Sequence, residues 1–176
     1  LIKIVRLITS VVYIHLGKRK EKTMAYEDYT IRPMTLEDYD KVYNLWMGIH
    51  GFGIRSVDDS YEGVERFLKR NPFCSVVALH GEEIVGSILA GHDGRTACLY
   101  HVCVREDFRK KGIGKAMVTA CMRALQEEHV SKISLVAFQN NIIGNEFWNA
   151  EGWTKRTDVN KYEFILNEDN ITRFNA

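Results

Sequence analysis

The segment Val102-Cys103-Val104-Arg105-Glu106-Asp107-Phe108-Arg109-Lys110-Lys111-Gly112-Ile113-Gly114-Lys115 constrains the chain more than any other. An apolar, strand-like run ends, a basic turn follows, and two glycines open a stretch with an apolar stripe. Ile113, Met117, Ala120, Cys121, Ala124 and Leu125 keep helical spacing, which predicts a long helix from Gly112 to about Val130. Glycines at 112 and 114 let the backbone approach a ligand with no Cβ in the way. The unpaired N–H groups of the first helical turn and the helix dipole then form an anion site that suits a diphosphate. Arg109, Lys110, Lys111 and Lys115 add formal charge around it. A glycine-bearing turn flanked by solvated basic residues is the alternative reading.

Two other phosphate motifs fail on residues. The P-loop pattern Gly-x-x-x-x-Gly-Lys-Ser/Thr is absent. The dinucleotide fingerprint needs a third glycine where this chain has Met117, and an acid at the end of the following strand. Glu127 and Glu128 lie near the helix end instead.

The 176 residues suit one domain, and 45% hydrophobic content supplies one core. With 24 Lys and Arg against 23 Asp and Glu, the net charge of +1 argues against a dedicated nucleic-acid binder. Cys74, Cys98, Cys103 and Cys121 show no Cys-x-x-Cys spacing, so neither a zinc site nor a disulfide framework is expected. Free thiols point to a reducing cytoplasm.

Around the central segment the pattern predicts the order β, α, α, β, β, β, α, β, α, β. Tyr29 to Arg32 reads as a strand, and Thr35 caps a helix carrying Val42, Leu45, Trp46 and Ile49. Gly51-Phe52-Gly53 breaks it, and a second helix runs from about Asp59 to Lys69. Cys74–Leu79, Ile84–Ala90 and Ala97–Val104 read as hairpin strands. Ile133 to Phe138 is a strand, Ile142 to Ala150 a helix and Tyr162 to Leu166 a last strand.

Residues 1–23 stand apart. They carry 6 Lys and Arg against 1 Glu, whereas residues 24–176 carry 18 against 22. Leu1 to Leu16 is apolar but interrupted by charges, too short for a span and unlike a signal peptide. The expectation is an N-terminal extension over 1–23, arising from a start called too early, ahead of a domain over 24–176. An amphipathic membrane-surface segment is the rival.

Arg109-x-x-Gly112-x-Gly114 after Val102-x-Val104 resembles the acetyl-CoA motif of the GCN5-related N-acetyltransferase (GNAT) family. A second signature follows in order: Asn141, Gly144, Phe147-Trp148 and Gly152-Trp153. Together with Ile31-Arg32-Pro33, the resemblance covers roughly residues 29–166. Gly91 to Arg95, Tyr100-His101 and Phe147-Trp148 are most similar to the bacterial YpeA-type branch.

The resemblance implies an α/β (α+β) GNAT fold: a mixed central sheet, flanked by helices and splayed open at the acetyl-CoA cleft beside Val104. Acetyl-CoA is the implied co-substrate, with no metal. Backbone groups of Val102, Cys103 and Val104 would meet the pantetheine arm, and those from Arg109 through Lys115, Ile113 included, the pyrophosphate. Asn141 would bond the cofactor side, and Trp148 would pack on the arm. The implied reaction is direct attack on the thioester by a primary amine, from a small molecule or a protein N-terminus. A non-catalytic acyl-CoA sensor is the alternative, and a homodimer is left open.

The Val104 N–H is the expected oxyanion donor. Positions that carry a Glu or His base in relatives fall on Cys98 and Tyr100, neither an ordinary base near pH 7. Tyr100 is expected to orient the amine or a water. Strict alternation puts His101 on the opposite face from Tyr100, so it is expected to be a satisfied histidine beneath the sheet. Where the family carries a Tyr acid this chain has Trp148, which removes that acid. An acyl-cysteine route through Cys98 or Cys103 lacks a Cys-His-carboxylate set. On the acceptor side, Phe52 would line the entrance, Asp58 and Asp59 would attract a cationic amine, and Arg55, between Phe52 and the aspartates, is expected among the substrate residues. Capping of the second helix is the alternative role for the two aspartates.

Overall fold

Alternation between apolar residues that face opposite ways builds a sheet covered on both sides. The computed structural model describes residues 12–15, 22–26 and 28–175. Strands β1 (Val12–His15), β2 (Lys22–Ala25) and β3 (Thr30–Pro33) come first. After β3, a 3₁₀ turn leads into α1 (Tyr39–Met47), and β4 (Gly53–Arg55) precedes α2 (Tyr61–Arg70). The meander β5 (Val76–His80), β6 (Glu83–His92) and β7 (Thr96–Val104) follows. Then come α3 (Ile113–Glu127), β8 (Lys132–Leu135), α4 (Ile142–Ala150) and β9 (Thr172–Phe174).

The main sheet has the order β1-β2-β3-β5-β6-β7-β8. Every neighbouring pair is antiparallel except β7–β8, which the α3 crossover makes parallel. One face carries Val76, Ala78, Ile88, Ala90 and Leu99 against Ile113, Met117, Cys121 and Leu125 of α3. The other carries Val77, Ile84, Leu89 and Cys103 against Val42, Leu45 and Trp46 of α1 and Val64 of α2. Covered on both sides, β6 is buried over Ile84–Gly91.

Three boundaries differ from the sequence reading. Tyr162–Leu166 forms no strand: Tyr162, Phe164 and Leu166 are almost fully exposed. The last strand is Thr172–Phe174, which pairs with β4 away from the main sheet. A run of aromatic and aliphatic residues marks a segment able to pair, but a partner decides whether it does. The helix stop at Gly51-Phe52-Gly53 holds, yet Gly53–Arg55 then extends as β4. The division expected after residue 23 falls inside β2, where Met24 is 3% exposed and pairs with Ile31. Residues 1–11 and 16–21 lie outside the described residues.

Candidate active site

The basic turn folds back on the strand that leads into it. Arg109 donates from Nε to the Val104 carbonyl (3.0 Å) and from Nη1 to Glu106 (2.9 Å), bracing the turn. Lys110 and Gly112 both take left-handed backbone, φ 61° and 80°. Gly112 caps α3, and the first helical bond runs from the Ala116 N–H to the Gly112 carbonyl (3.0 Å). The N–H groups of Ile113, Gly114 and Lys115 therefore have no acceptor within the helix. Gly114 also permits a close approach: a Cβ there would stand 3.3 Å from the Phe147 ring of α4. Lys111 lies over the Phe108 ring (4.6 Å), and Lys115 pairs with Glu151 (3.4 Å). Of the expected cations, Arg109 thus has its charge partly spent on holding the turn.

Beside this turn the sheet opens. The β7–β8 pairing runs from Thr96↔Lys132 to Leu99↔Leu135, where β8 ends, while β7 continues to Val104 against β6. The Arg105 N–H is given to Val85 of β6 (2.8 Å), so alternation turns the peptide groups of Val104 and Val102 toward the opened side. With its carbonyl held by Arg109, Val104 keeps its N–H for that side. Cys103 points the other way, buried, its thiol 3.4 Å from Ser87 Oγ. Burial pushes that thiol up to about 11, which leaves it a poor nucleophile.

The far wall is α4. Asn141 caps it, its Oδ1 accepting the Gly144 N–H (2.9 Å). Phe147, Trp148 and Trp153 follow as edge-to-face neighbours with centroids 4.9 Å apart. Trp148 thus packs between two rings of its own chain, half-buried against the α3-side core.

On the α1 side the structure corrects the expected facing of β7. Between the rows Leu89↔Tyr100 and Ser87↔Cys103, β6 spends one residue and β7 spends two, His101 and Val102. This bulge, with His101 at φ 49°, shifts the phase of the strand. Tyr100 and His101 consequently share the α1/α2 face. Tyr100 stands edge-on to Phe67 of α2 (5.9 Å) and is half-exposed. Burial first, then the neighbouring Cys98, pushes its phenol up to about 12, so Tyr100 keeps its proton at neutral pH.

His101 lies against the Trp46 and Phe52 rings, 4.6 and 4.9 Å away. Its Nε2 is 2.6 Å from Asp59 Oδ1. Asp59 is 4% exposed, and its other oxygen accepts the Arg55 N–H (2.6 Å). It is therefore a buried partner of His101 and not a surface attractant. Nor does it cap α2; Ser60 does, accepting the Gly63 N–H (3.1 Å). Phe52 packs inward on Trp46 and His101, while Arg55 is exposed and pairs with Asp58 (3.4 Å). The pairing of His101 with Asp59 escaped the sequence reading because strict alternation has no place for an extra residue.

Among the described residues, no group of three or more His, Cys, Asp or Glu side chains gathers as a metal site would. No helix among them is long and apolar enough to cross a membrane.

The family model described as "Acetyltransferase (GNAT) family" matches residues 39–153. An acetyltransferase of Pectobacterium atrosepticum is 32% identical over 111 residues, 63% of this chain and 77% of that one. One from Sodalis glossinidius is 31% identical over the same shares. Among solved structures, an aminoglycoside N-acetyltransferase in complex with CoA superposes with a TM-score of 0.61 at 18% identity, covering 85% of this chain and 99% of that one. The ribosomal-protein-S18-alanine N-acetyltransferase of Escherichia coli gives a TM-score of 0.60 at 16% identity, over 73% and 79%. At such identities the solved structures establish the shared fold.

Proposed function

This chain belongs to the GNAT acetyltransferase family, and we propose that it moves an acetyl group from acetyl-CoA to a primary amine, on a small molecule or a protein N-terminus, by direct attack with both bound. One observation supports this reading most: the opened edge of β7 runs straight to the bare N-terminal turn of α3. An acyl-CoA needs a strip of peptide groups for its amide-bearing arm and a cluster of N–H donors for its diphosphate, in that order. The residues present fit it. Val102 and Val104 offer the strip, and Ile113, Gly114 and Lys115 the donors, at the turn that left-handed Gly112 makes into α3.

Bound there, acetyl-CoA supplies a thioester already activated toward amines. The chain's own contribution is positioning, worth up to about 7–11 kcal/mol when reacting atoms are held together. The Val104 N–H meets the charge that develops on the acyl oxygen. Tyr100, protonated and half-exposed at the end of the paired part of β7, orients the incoming amine. Phe147 and Trp148 close the side opposite β7. The family member's cleft thus has the α3 face for the acyl donor and the α1/α2 face for the acceptor. A cytoplasmic location agrees with the free thiols of Cys74, Cys98, Cys103 and Cys121.

Incubation with acetyl-CoA and spermidine, tyramine or an alanine-initiated peptide tests the reading. Thiol release and a mass gain of one acetyl group on at least one amine are expected. Binding of acetyl-CoA with no acetylation of any primary amine would leave a sensor and contradict it.

A further inference from the structure

We propose that His101 is the proton acceptor for the incoming amine and that Asp59 is the positioning residue that holds it in the working tautomer. The assignment rests on the acetyl-transfer reading above and supplies the base that Cys98 and Tyr100 do not. Three observations carry it.

The first is placement. His101 stands two residues past Leu99, the last β7 residue paired with β8, so it sits where the sheet has opened. The second is backbone. A non-glycine residue at φ 49° inside a strand is uncommon, and such strain persists only where the surroundings hold it. Here the bulge directs the imidazole to the acceptor face beside Tyr100.

The third is the hydrogen-bond geometry. The Asp59 carboxylate is almost fully buried and held at both oxygens, by the Arg55 N–H and by His101 Nε2. A carboxylate only accepts, so the neutral ring carries its proton on Nε2 and leaves the Nδ1 lone pair free. Nδ1 makes no hydrogen bond among the described residues. No buried side-chain nitrogen or oxygen among them lacks a partner, so Nδ1 reaches accessible space. Trp46 and Phe52 clamp the ring on its sides. Trp46 is itself fixed by its indole bond to Ser87 (2.9 Å).

In the step, an N–H bond of the substrate ammonium breaks and its proton goes to Nδ1. The imidazolium formed is held by Asp59. The freed electron pair on nitrogen makes the C–N bond to the acetyl carbon as the C–S bond breaks. The sulfur leaves with its electron pair and takes the second proton that nitrogen sheds, and the imidazolium returns its own proton to water.

The titratable and charged groups around His101 come from each packed element. Asp59 bonds it directly, and Tyr39 of α1 donates to the Asp59 carbonyl (2.9 Å). Tyr100 and Cys103 flank it on β7, while Arg55 and Asp58 stand at the rim near Tyr100. From β6, Ser87 faces Trp46 and Cys103.

The test uses His101→Asn, because Asn tolerates left-handed backbone but is no base, together with Asp59→Asn. Steady-state kinetics run from neutral to alkaline pH with acetyl-CoA and the amine that the wild type acetylates. His101→Asn should lower kcat by about 10²–10⁴-fold, with calorimetric binding of acetyl-CoA unchanged. The deficit should shrink toward alkaline pH, where the amine loses its proton unaided. Asp59→Asn should show the same pattern with a smaller loss. Nitrogen NMR of the wild-type imidazole, which needs no acceptor, should find the neutral-ring proton on Nε2.

A His101→Asn kcat within a few fold of wild type, a deficit that does not vary with pH, or a proton on Nδ1 overturns the assignment while wild-type turnover stands. Absence of wild-type turnover with every amine counts against the transfer reading and removes the base with it.

Discussion

At Gly112 the backbone sits at φ 80°, and an added Cβ would meet only the Tyr29 hydroxyl, at 3.7 Å. Space is therefore not what requires glycine there; conformation is. Left-handed backbone costs an L-residue about 1–2 kcal/mol, and relief of that cost would rotate the first donors of α3. Gly112→Ala is expected to lose stability by that amount in urea unfolding and to weaken acetyl-CoA binding in calorimetry. An unchanged affinity would mean that the donors of this turn do not meet the diphosphate. Two positions on, Gly114 has the opposite reason for being glycine, since the Phe147 ring needs the room. The two glycines were legible as a pair, but their different duties were not, because close packing between α3 and α4 leaves no trace in local spacing.

Elements add what residues alone do not specify. The junction of β3 with α1 is held by Arg32, whose two Nη groups bond both oxygens of Asp38 at 2.7 Å, and by the Thr35 N–H to the same carboxylate. Burial by itself would raise the Asp38 carboxyl, but these bonds outweigh it and hold the group below the usual carboxylate range. A depressed carboxyl contributes stability above its unfolded value, near 3.9, and loses it as pH falls through the folded value. The thermal stability of the wild type should therefore fall on acidification below about pH 4. Asp38→Asn should cost about 1–3 kcal/mol at neutral pH and flatten that acid limb; an identical limb would contradict the account. The helices α1, α2, α3 and α4 were legible because stripes and breakers are local: Thr35 ahead of Val42, Leu45 and Trp46 in α1, the Ile113–Leu125 stripe in α3. The caps of α2 and α4 were not, since Ser60 and Asn141 fill places where the aspartates and a cofactor contact were expected. The β7 bulge was not, since one extra residue inverts every later facing and depends on how β6 pairs. The final strand was misplaced for a similar reason. Tyr162–Leu166 has the apolar composition of a strand, but Thr172–Phe174 is the segment that reaches β4.

At the scale of the molecule, the two faces of the sheet divide the work. The α3 face and α4 shape the side proposed for the acyl donor, and the α1/α2 face carries His101, Asp59, Phe52 and Tyr100. The C-terminal residues tie the second face together. β9 pairs with β4, Asn175 donates to the carbonyls of Trp46 (2.7 Å) and Ile49 (3.1 Å), and Asn170 accepts the Val57 N–H (3.0 Å). Phe174 stands edge-on to Phe138 (5.6 Å), linking the loop that carries Asp59 to the chain beyond β8. Residues 170–175 of this strap lie beyond the family match over residues 39–153, while the residues they hold, Trp46, Ile49 and Val57, lie within it. On the proposed reading the opened β7 edge and the first turn of α3 together accept an acyl-CoA. The most direct test is calorimetric titration of the full chain with acetyl-CoA, with ATP and NADH as controls. Saturable binding of acetyl-CoA in the micromolar range is expected, with none comparable for the two nucleotides. Equal binding of all three, or no binding of acetyl-CoA, would reduce the site to a basic glycine turn and contradict it.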